Sequence, residues 1–226
     1  MIVENEFGSI DFDWEDGKDV CLSFSGGCDS TLLLYLSLVL LESKPNTIFH
    51  TFTGVTPAKG LWKQFTSQEI FDGIILEHGQ HVKDRIAPRF VIYNDTQAEV
   101  GDMLKKMVND GKFDIRMFGI TSNPPLDIMS DHDLLFRREP KRDIENVKHV
   151  WFDNKATYAP LINVDKRFVA QCFKDFGLMK YYNLTTSCER LRETPDMQNN
   201  ENPCGHCWWC REKKMAFEML DGEYYA

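Results

Sequence analysis

The chain has 226 residues, a net charge of −9 at pH 7 and a sequence pI of about 5.2. Its 42% hydrophobic and 27% charged residues are typical of a soluble globular domain with a sizeable core. The acidic balance disfavours a nucleic-acid partner, because such affinity comes largely from neutralised phosphates. We expect a cytoplasmic location without a membrane partner, since no apolar run is long enough for a span and residues 1–6 lack signal-peptide features.

Short apolar runs alternate with amphipathic stretches along most of the chain. We expect irregular structure with at most a short edge strand over residues 1–18. The other predicted elements are strands over 20–24, 47–52, 90–93 and 115–120 and helices over 30–41, 68–79, 97–109, 165–176 and 211–220. This alternation predicts an α/β fold with a doubly wound parallel sheet. Residues 121–158 give no clear pattern. For the mixed-charge run 137–145 a solvated face is favoured over contact of its basic residues with phosphate or an acidic substrate.

A glycine-rich loop separates the first predicted buried strand from its helix. Glycines allow a ligand to approach the backbone closely, and the helix N-terminus offers free N–H groups and a partial positive charge. This combination is typical of a phosphate site. Ser25 and Ser30 add hydroxyl donors, and Asp29 is suited to cap the helix or to hold Mg²⁺. The loop has neither the Gly-Lys-Ser/Thr of P-loop kinases nor the glycine pattern of dinucleotide folds.

Residues 25–31 resemble the Ser-Gly-Gly-x-Asp-Ser signature of the PP-loop ATP pyrophosphatase superfamily. The resemblance implies that a substrate oxygen attacks the α-phosphorus of ATP and that pyrophosphate leaves. An adenylate then forms, which ammonia or a sulfur nucleophile displaces. Ser25, Asp29 and Ser30 would take catalytic roles, and Mg²⁺ would offset the charge of the departing pyrophosphate. The implied ATP-binding residues are Phe24, Ser25, Gly26, Gly27, Cys28, Asp29, Ser30 and Thr31.

Four of the seven cysteines lie between positions 188 and 210, which indicates metal binding rather than disulfides. Cys204, Cys207 and Cys210 are separated by two-residue gaps, and Cys188 lies upstream. Four thiolates complete the tetrahedral shell of structural Zn²⁺. Iron–sulfur clusters are bound by cysteines at similar spacing, so such a cluster is the alternative interpretation of this site. A fourth cysteine from a distant loop favours zinc. We expect His206 to point away from the metal, and Trp208 and Trp209 to pack around it.

The loop and the cysteine tail together resemble the 7-cyano-7-deazaguanine synthase family of queuosine biosynthesis. The resemblance covers residues 20–34 and 160–217, while the middle of the chain lacks the family's Tyr-Gly-Gln and Pro-Gly-Arg-Asn segments. It implies an ATP-dependent C–N ligase that converts 7-carboxy-7-deazaguanine, with ammonia, into the amide and then the nitrile. Pro160-Leu161 followed by Lys166 resembles a further family segment, which implies that Lys166 faces the phosphates as a catalytic residue. The tail match consists of Ser187-Cys188 and Pro203-Cys204-Gly205-His206-Cys207-Trp208-Trp209-Cys210-Arg211.

Residues 1–180 are expected to form the ATP-binding domain, with 181–226 as a small zinc-binding segment packed on it. The implied cofactors are ATP, Mg²⁺ and Zn²⁺, and the implied partners are a small deazapurine carboxylate and ammonia. The chain could also form a homodimer. Ligands of such sheets bind at the C-terminal ends of the strands. The acceptor is therefore expected near Thr53, Asn94 and residues 121–123, with an aromatic shelf of Phe52, Tyr93 and Phe118.

Two other functions stay open at this stage. One is a PP-loop enzyme with a different acceptor, such as a tRNA thiolase or an adenylylsulfate-type enzyme. A thiolase should have a catalytic cysteine pair outside the metal set, which only Cys21, Cys28 and Cys172 could supply. The other is a non-enzymatic ATP-binding regulatory module with a zinc staple.

Overall fold

The computed structural model describes residues 1–55, 63–93, 97–137, 140–143, 149–152, 155–188, 204–205 and 207–220. The chain begins with an antiparallel hairpin of β1 (Ile2–Asn5) and β2 (Gly8–Asp11), so the prediction of irregular structure here was wrong. Ile10, Phe12 and Trp14 are buried at alternate positions, which is the strand period. The acidic residues between them obscured this pattern in the sequence.

Within the described residues, the main sheet has six strands in the order β5-β4-β3-β6-β8-β7. The first five of these are parallel, and β7 pairs antiparallel with β8 at one edge. The strands are β3 (Val20–Ser23), β4 (Phe49–Val55), β5 (Phe90–Tyr93), β6 (Ile115–Met117), β7 (His149–Phe152) and β8 (Lys155–Tyr158). The predicted α/β class with a parallel sheet is confirmed; β7 and β8 lie in the segment that gave no clear pattern.

Helices cover both faces of the sheet. They are α1 (Cys28–Leu41), α2 (Lys63–Leu76), α3 (Gln80–Lys83), α4 (Gln97–Asn109), α5 (Leu126–Asp131), α6 (Lys166–Asp175) and α7 (Trp208–Glu218), with short 3-10 turns at Leu135–Arg137, Pro140–Asp143 and Leu178–Tyr181. The main core includes residues of α1, α2, α6 and α7, whereas α4 contributes to a smaller core with Cys21, Phe52 and Phe113. In the part of the chain that the structure describes, no helix is long and apolar enough to cross a membrane.

The strand order reverses between β3 and β6. The chain runs from β3 outward to β4 and β5, and then returns to β6 and β8 on the other side. Connections that leave β3 and β6 in opposite directions open a crevice at the carboxyl ends of these strands, which is where ligands bind in open α/β sheets. The glycine-rich loop follows β3 directly, so the fold places it at this crevice.

Candidate nucleotide and metal sites

Gly26 holds the loop in a conformation that few other residues could adopt. Its φ is +74°, which is left-handed and unstrained for glycine. A Cβ atom at this position would lie 2.9 Å from Cβ of Ser67 on α2. On the other side, the Thr186 N–H donates to the Gly26 carbonyl at 3.0 Å. The loop is therefore fixed between α2 and the segment that leads to Cys188.

The N-terminus of α1 opens onto this loop. Gly27 is the N-cap, and no side chain caps the helix. The Ser25 hydroxyl accepts from the Gly27 N–H at 3.3 Å and lies 3.2 Å from the Ser30 hydroxyl, which contacts the Gly27 carbonyl at 3.1 Å. Two hydroxyl groups thus flank the first turn of α1, where the backbone N–H groups have no intrahelical acceptor. This arrangement is suited to an anionic oxygen cluster such as a pyrophosphate.

Three of the predicted ATP-binding residues turn their side chains inward. Phe24, Cys28 and Thr31 are each 0% exposed. The Cys28 sulfur lies 3.1 Å from the Thr185 hydroxyl, which ties the loop again to the segment before Cys188. These three residues can offer a ligand only their backbone groups.

Asp29 and Lys166, both predicted as catalytic, are in direct contact. Lys166 Nζ donates to both carboxylate oxygens of Asp29 at 2.6 Å, so Asp29 forms an ion pair instead of capping α1. Lys166 is buried, with 2% exposure, at the start of α6. Burial lowers the pKa of Lys166, but the negative charges of Asp29 and Glu212 outweigh this effect and raise it. Lys166 therefore lies beside the loop in contact with Asp29, and its catalytic role stays a prediction.

Gly119 allows the connection after β6 to cross α1 at very short range. A Cβ atom at Gly119 would lie 2.7 Å from Asp29 Cβ and 3.1 Å from the Ser30 backbone nitrogen. The two connections that border the crevice consequently meet at the Asp29 backbone.

A second buried ion pair lies behind Lys166. Arg142 Nη2 donates to Glu212 Oε1 at 2.5 Å, and the two side chains are 4% and 0% exposed. Arg142 also donates to the Thr121 and Ser122 carbonyls at 2.7 and 2.9 Å and lies over the Trp208 ring at 4.5 Å. The expected solvated face is therefore wrong at Arg142, because this guanidinium joins the β6 connection to α7.

The four predicted metal ligands come together in space. The sulfur atoms of Cys188, Cys204, Cys207 and Cys210 all lie within 4.8 Å of one another. The Cys207 N–H donates to the Cys204 sulfur at 3.3 Å, which fixes the turn between the two ligands. Hydrogen bonding with Cys188 and Cys207 raises the pKa of Cys210, so four thiolates would coexist here only around a cation. The donor set fits Zn²⁺ or an iron–sulfur cluster. His206 lies outside the described residues.

The metal ligands are linked to the loop through short stretches of chain. Cys188 follows the Thr185–Thr186 contacts with the loop, and Cys210 precedes Glu212 on α7 by two residues. Lys213 donates to the Tyr182 and Thr185 carbonyls at 2.9 and 2.7 Å, and burial lowers the pKa of this lysine. The cysteine group and the loop are thus parts of one connected region.

The predicted acceptor residues are only partly at the crevice. Thr53 donates its hydroxyl to the Phe24 carbonyl at 2.7 Å and so supports the loop from beneath. Phe52 is 4% exposed in the core beside α4, so its ring cannot serve as a shelf. Tyr93 is exposed and donates its hydroxyl to Gln64, and the half-buried Phe118 lies beneath the Arg116 guanidinium. Asn94 lies outside the described residues.

Glu212 was missed in the sequence, and the close packing of Gly119 and the burial of Arg142 were not predicted. A signal existed for Glu212, because it lies one helical turn after Trp208 and one before Met215 and Ala216, all of which are buried. A charged residue on an apolar helix stripe indicates a buried ion pair or a site. Gly119 and Arg142 carried no comparable signal, since their roles depend on contacts across the fold.

No protein-family model matches the sequence, and no curated protein matches it. Among solved structures, U34-tRNA thiolase NcsA from Methanococcus maripaludis, with its 4Fe-4S cluster, is similar with a TM-score of 0.47 at 14% identity, over 93% of this chain and 75% of that one. NMN synthetase from Francisella tularensis is similar with a TM-score of 0.46 at 12% identity, over 93% of this chain and 79% of that one. At these TM-scores and identities, the similarity does not establish a function for this chain.

Proposed function

We propose that the protein is an ATP pyrophosphatase that adenylates its substrate. The observation that carries the proposal is the contact between the Ser25–Ser30 loop, at the reversal of strand order, and a buried lysine from α6. Lys166 pairs with Asp29 on the first turn of α1. The loop would hold the β- and γ-phosphates with backbone N–H groups and with the hydroxyls of Ser25 and Ser30. Asp29 would hold Mg²⁺, which supplies charge neutralisation for the departing pyrophosphate.

The proposed reaction adenylates the acceptor and then replaces AMP with nitrogen. A carboxylate oxygen of the acceptor attacks the α-phosphorus of ATP, and the bond from that phosphorus to the bridging oxygen breaks, which releases pyrophosphate. Ammonia then attacks the acyl carbon, AMP leaves with the bonding electron pair, and a proton passes from nitrogen to solvent, which gives the amide. For the nitrile, the amide oxygen attacks a second ATP in the same way, and loss of AMP and of the two nitrogen protons forms the C≡N bond. Lys166 would stabilise negative charge on the transferring phosphoryl group, because its ammonium is held rigidly at the loop. Gly119 allows the β6 connection to lie close to Asp29.

We propose 7-carboxy-7-deazaguanine as the acceptor, with 7-cyano-7-deazaguanine or its amide as the product. The support is the combined resemblance of residues 20–34 and of the cysteine tail to the enzymes that make this nitrile. The net charge of −9 supports a small acceptor over a nucleic acid. A cytoplasmic, Zn²⁺-containing enzyme completes the proposal. Residues 1–180 would supply the ATP-binding residues and depend on the packed segment 181–226, and the enzyme could be a homodimer.

Thiolation of tRNA is the alternative function, and the four-cysteine group is the observation that bears on it. The similar thiolase acts on tRNA and contains a 4Fe-4S cluster, and four cysteines could hold such a cluster here. The remaining cysteines do not favour a thiol nucleophile. Burial raises the pKa of Cys21 and of Cys172 to about 12, and Cys28 is buried at 0% exposure. Iron and labile sulfide in the purified protein would favour thiolation over amide formation.

The test is ATP-dependent pyrophosphate release with a panel of acceptors, combined with mass spectrometry of the products. We expect 7-carboxy-7-deazaguanine to stimulate release more than aspartate, nicotinate-type acids or sulfate, and the amide to appear before the nitrile. Asp29→Asn should abolish release, whereas Asp72→Asn, on the exposed side of α2, should not change it.

Three outcomes would decide between the functions. Protein that binds ATP but releases no pyrophosphate with any acceptor would be a regulatory module. Release with another acid alone would reject the deazapurine and keep the adenylation chemistry. Undiminished turnover in Asp29→Asn would reject the loop as the catalytic site.

A further inference from the structure

Lys213 on α7 contacts the turn that precedes Cys188. Its Nζ donates to the Tyr182 carbonyl at 2.9 Å and to the Thr185 carbonyl at 2.7 Å. The same ammonium lies over the Tyr182 ring, 4.0 Å from its centroid, where the face of the ring attracts a cation. Cys210, one of the four clustered cysteines, lies about one helical turn before Lys213. A single side chain therefore joins the helix that carries Cys210 to the turn that leads to Cys188.

The segment that Lys213 holds also contacts the nucleotide loop at two points. The Thr185 hydroxyl lies 3.1 Å from the Cys28 sulfur at the start of α1. The Thr186 N–H donates to the Gly26 carbonyl at 3.0 Å. Both threonines are buried, so water does not compete strongly for either contact. The position of the loop backbone at Gly26 and Cys28 therefore depends on where this segment is held.

The same segment ends at one of the clustered cysteines. Cys188 lies two residues after the last of these loop contacts, and its sulfur lies within 4.8 Å of those of Cys204, Cys207 and Cys210. Four thiolates at this separation require a bound cation, because their negative charges repel one another. A metal ion on these sulfurs would link the segment to α7 at one end, as the Lys213 ammonium links it at the other.

Resting on the proposed function, we propose that Lys213 is a positioning residue through which Zn²⁺ on the four cysteines raises the affinity of the loop for ATP. Zn²⁺ and the Lys213 ammonium together hold residues 182–188 against α7, so the loop is already ordered when the nucleotide arrives and binding costs less entropy. Such coupling is reciprocal, and a bound nucleotide must strengthen the retention of Zn²⁺ by the same factor. The cysteine group is then part of the nucleotide site as well as a support for the fold.

The test is the rate at which the holoprotein releases Zn²⁺ to a zinc-selective chromogenic chelator, with and without α,β-methylene-ATP and Mg²⁺. We expect the analogue to slow release from the wild type about tenfold, which is within the usual range for coupled sites. Lys213→Met keeps the apolar stem and all four cysteines, so it should bind Zn²⁺ fully, but the slowing should fall below about threefold. Each variant is saturated with analogue, so that general stabilisation of the fold by the ligand is common to all of them.

Lys214→Met is the matched control, because Lys214 is the next residue on α7 and pairs with Glu218 at the surface. It should retain the slowing seen in the wild type. Thr185→Val serves if Lys213→Met does not fold, since it removes the hydroxyl that contacts Cys28 and should reduce the slowing in the same way. Calorimetry on Zn²⁺-loaded and Zn²⁺-depleted protein measures the reciprocal effect on analogue affinity, and circular dichroism establishes that each variant is folded.

Three results would overturn the inference while the proposed function stands. In the first, the wild type binds the analogue but releases Zn²⁺ at the same rate with and without it. In the second, folded Lys213→Met shows the full wild-type slowing. In the third, Lys213→Met loses analogue affinity equally in its Zn²⁺-loaded and Zn²⁺-depleted forms, which would mean a structural role only. Wild-type protein that binds no analogue at all would overturn the proposed function together with the inference.

Discussion

Gly119 leaves no space for a side chain where the β6 connection crosses the first turn of α1. The atoms that an added Cβ would meet are the Asp29 Cβ and the Ser30 nitrogen, which belong to or adjoin the helix backbone. We expect Gly119→Ala to lower the free energy of unfolding by about 1–3 kcal/mol, as overpacking does, and to weaken nucleotide binding because Asp29 must shift. Chemical denaturation and calorimetry with an ATP analogue would measure the two effects.

Gly177→Ala provides the comparison for this variant. Gly177 ends α6 with φ of +67°, and nothing lies within 4 Å of an added Cβ. Its substitution should cost about 1–2 kcal/mol through backbone strain alone, with analogue affinity unchanged. Equal affinity in the two variants would contradict the role given to Gly119.

We expect His50 to make stability depend on pH near neutrality. It lies between the rings of Phe90 and Phe113, at 6.2 and 5.9 Å between centroids. Burial lowers the pKa of His50, although the Asp19 charge opposes the shift. The unfolded chain therefore takes up a proton at His50 more readily than the folded chain, and stability is lost as pH falls through the unfolded value. His78, whose pKa burial also lowers, acts in the same direction.

The free energy of unfolding should consequently decline from about pH 7.5 to 5.5. His50→Phe should flatten part of this decline and leave the part that is due to His78. Urea denaturation at several pH values would measure the slope. An unchanged slope in His50→Phe would show that His50 is solvated in the native protein.

At the scale of elements, α7 joins the metal ligands to the core. Cys207 is its N-cap and Cys210 lies in its first turn, while Phe217 and Met215 are buried among core residues. We expect about one Zn²⁺ per chain and no visible absorbance. Cys207→Ser should remove the metal and lower the melting temperature, because a structural metal contributes folding free energy.

Elemental analysis and thermal melting would check this, with Cys172→Ser as the control. Cys172 is buried against Asn5, outside the four-cysteine group, so its replacement should leave the metal content unchanged. Full metal occupancy in Cys207→Ser would contradict the four-ligand site. A coloured protein with iron and sulfide would identify the cluster alternative.

The elements that sequence predicts best here are those whose signals are local. β5 and α4 begin and end where expected, since each combines a strong hydrophobic pattern with a clear stop. The hairpin β1–β2 was missed because alternating acidic residues diluted its pattern. β7 and β8 were missed because they are short strands within a segment rich in proline and charge.

The same distinction applies to the site. The loop residues 25–30 were predictable, because glycine freedom and a helix N-terminus are properties of consecutive residues. The proximity of the four cysteines was predictable from their spacing. The Arg142–Glu212 pair was not predictable, because the two residues are 70 positions apart in the sequence and only the tertiary fold brings them together. Likewise, Asp29 was expected to cap α1 or to bind Mg²⁺, whereas in the structure it forms an ion pair with Lys166.

At the scale of the whole molecule, the C-terminal segment shares the main core. Trp208, Met215, Ala216 and Phe217 of α7 belong to the same hydrophobic cluster as α1 and α6. A chain of residues 1–180 would expose this surface and would also lack the Thr186 contact with Gly26. We therefore expect it to unfold without cooperativity and to bind no ATP analogue, although it keeps every loop residue. Tryptophan fluorescence during urea titration and calorimetry would test this, and a cooperative, nucleotide-binding fragment would contradict it.

The contact between Asp29 and Lys166 also has a consequence for how the protein is made. The two residues are 137 positions apart, and Thr186 follows still later. At synthesis rates of about 5–20 residues per second, the loop leaves the ribosome on the order of ten seconds before these partners exist. During that interval the nascent chain carries a glycine loop without its buried cation and a long apolar α1 without its covering helices. The native contacts of the loop can therefore form only after synthesis has passed residue 186.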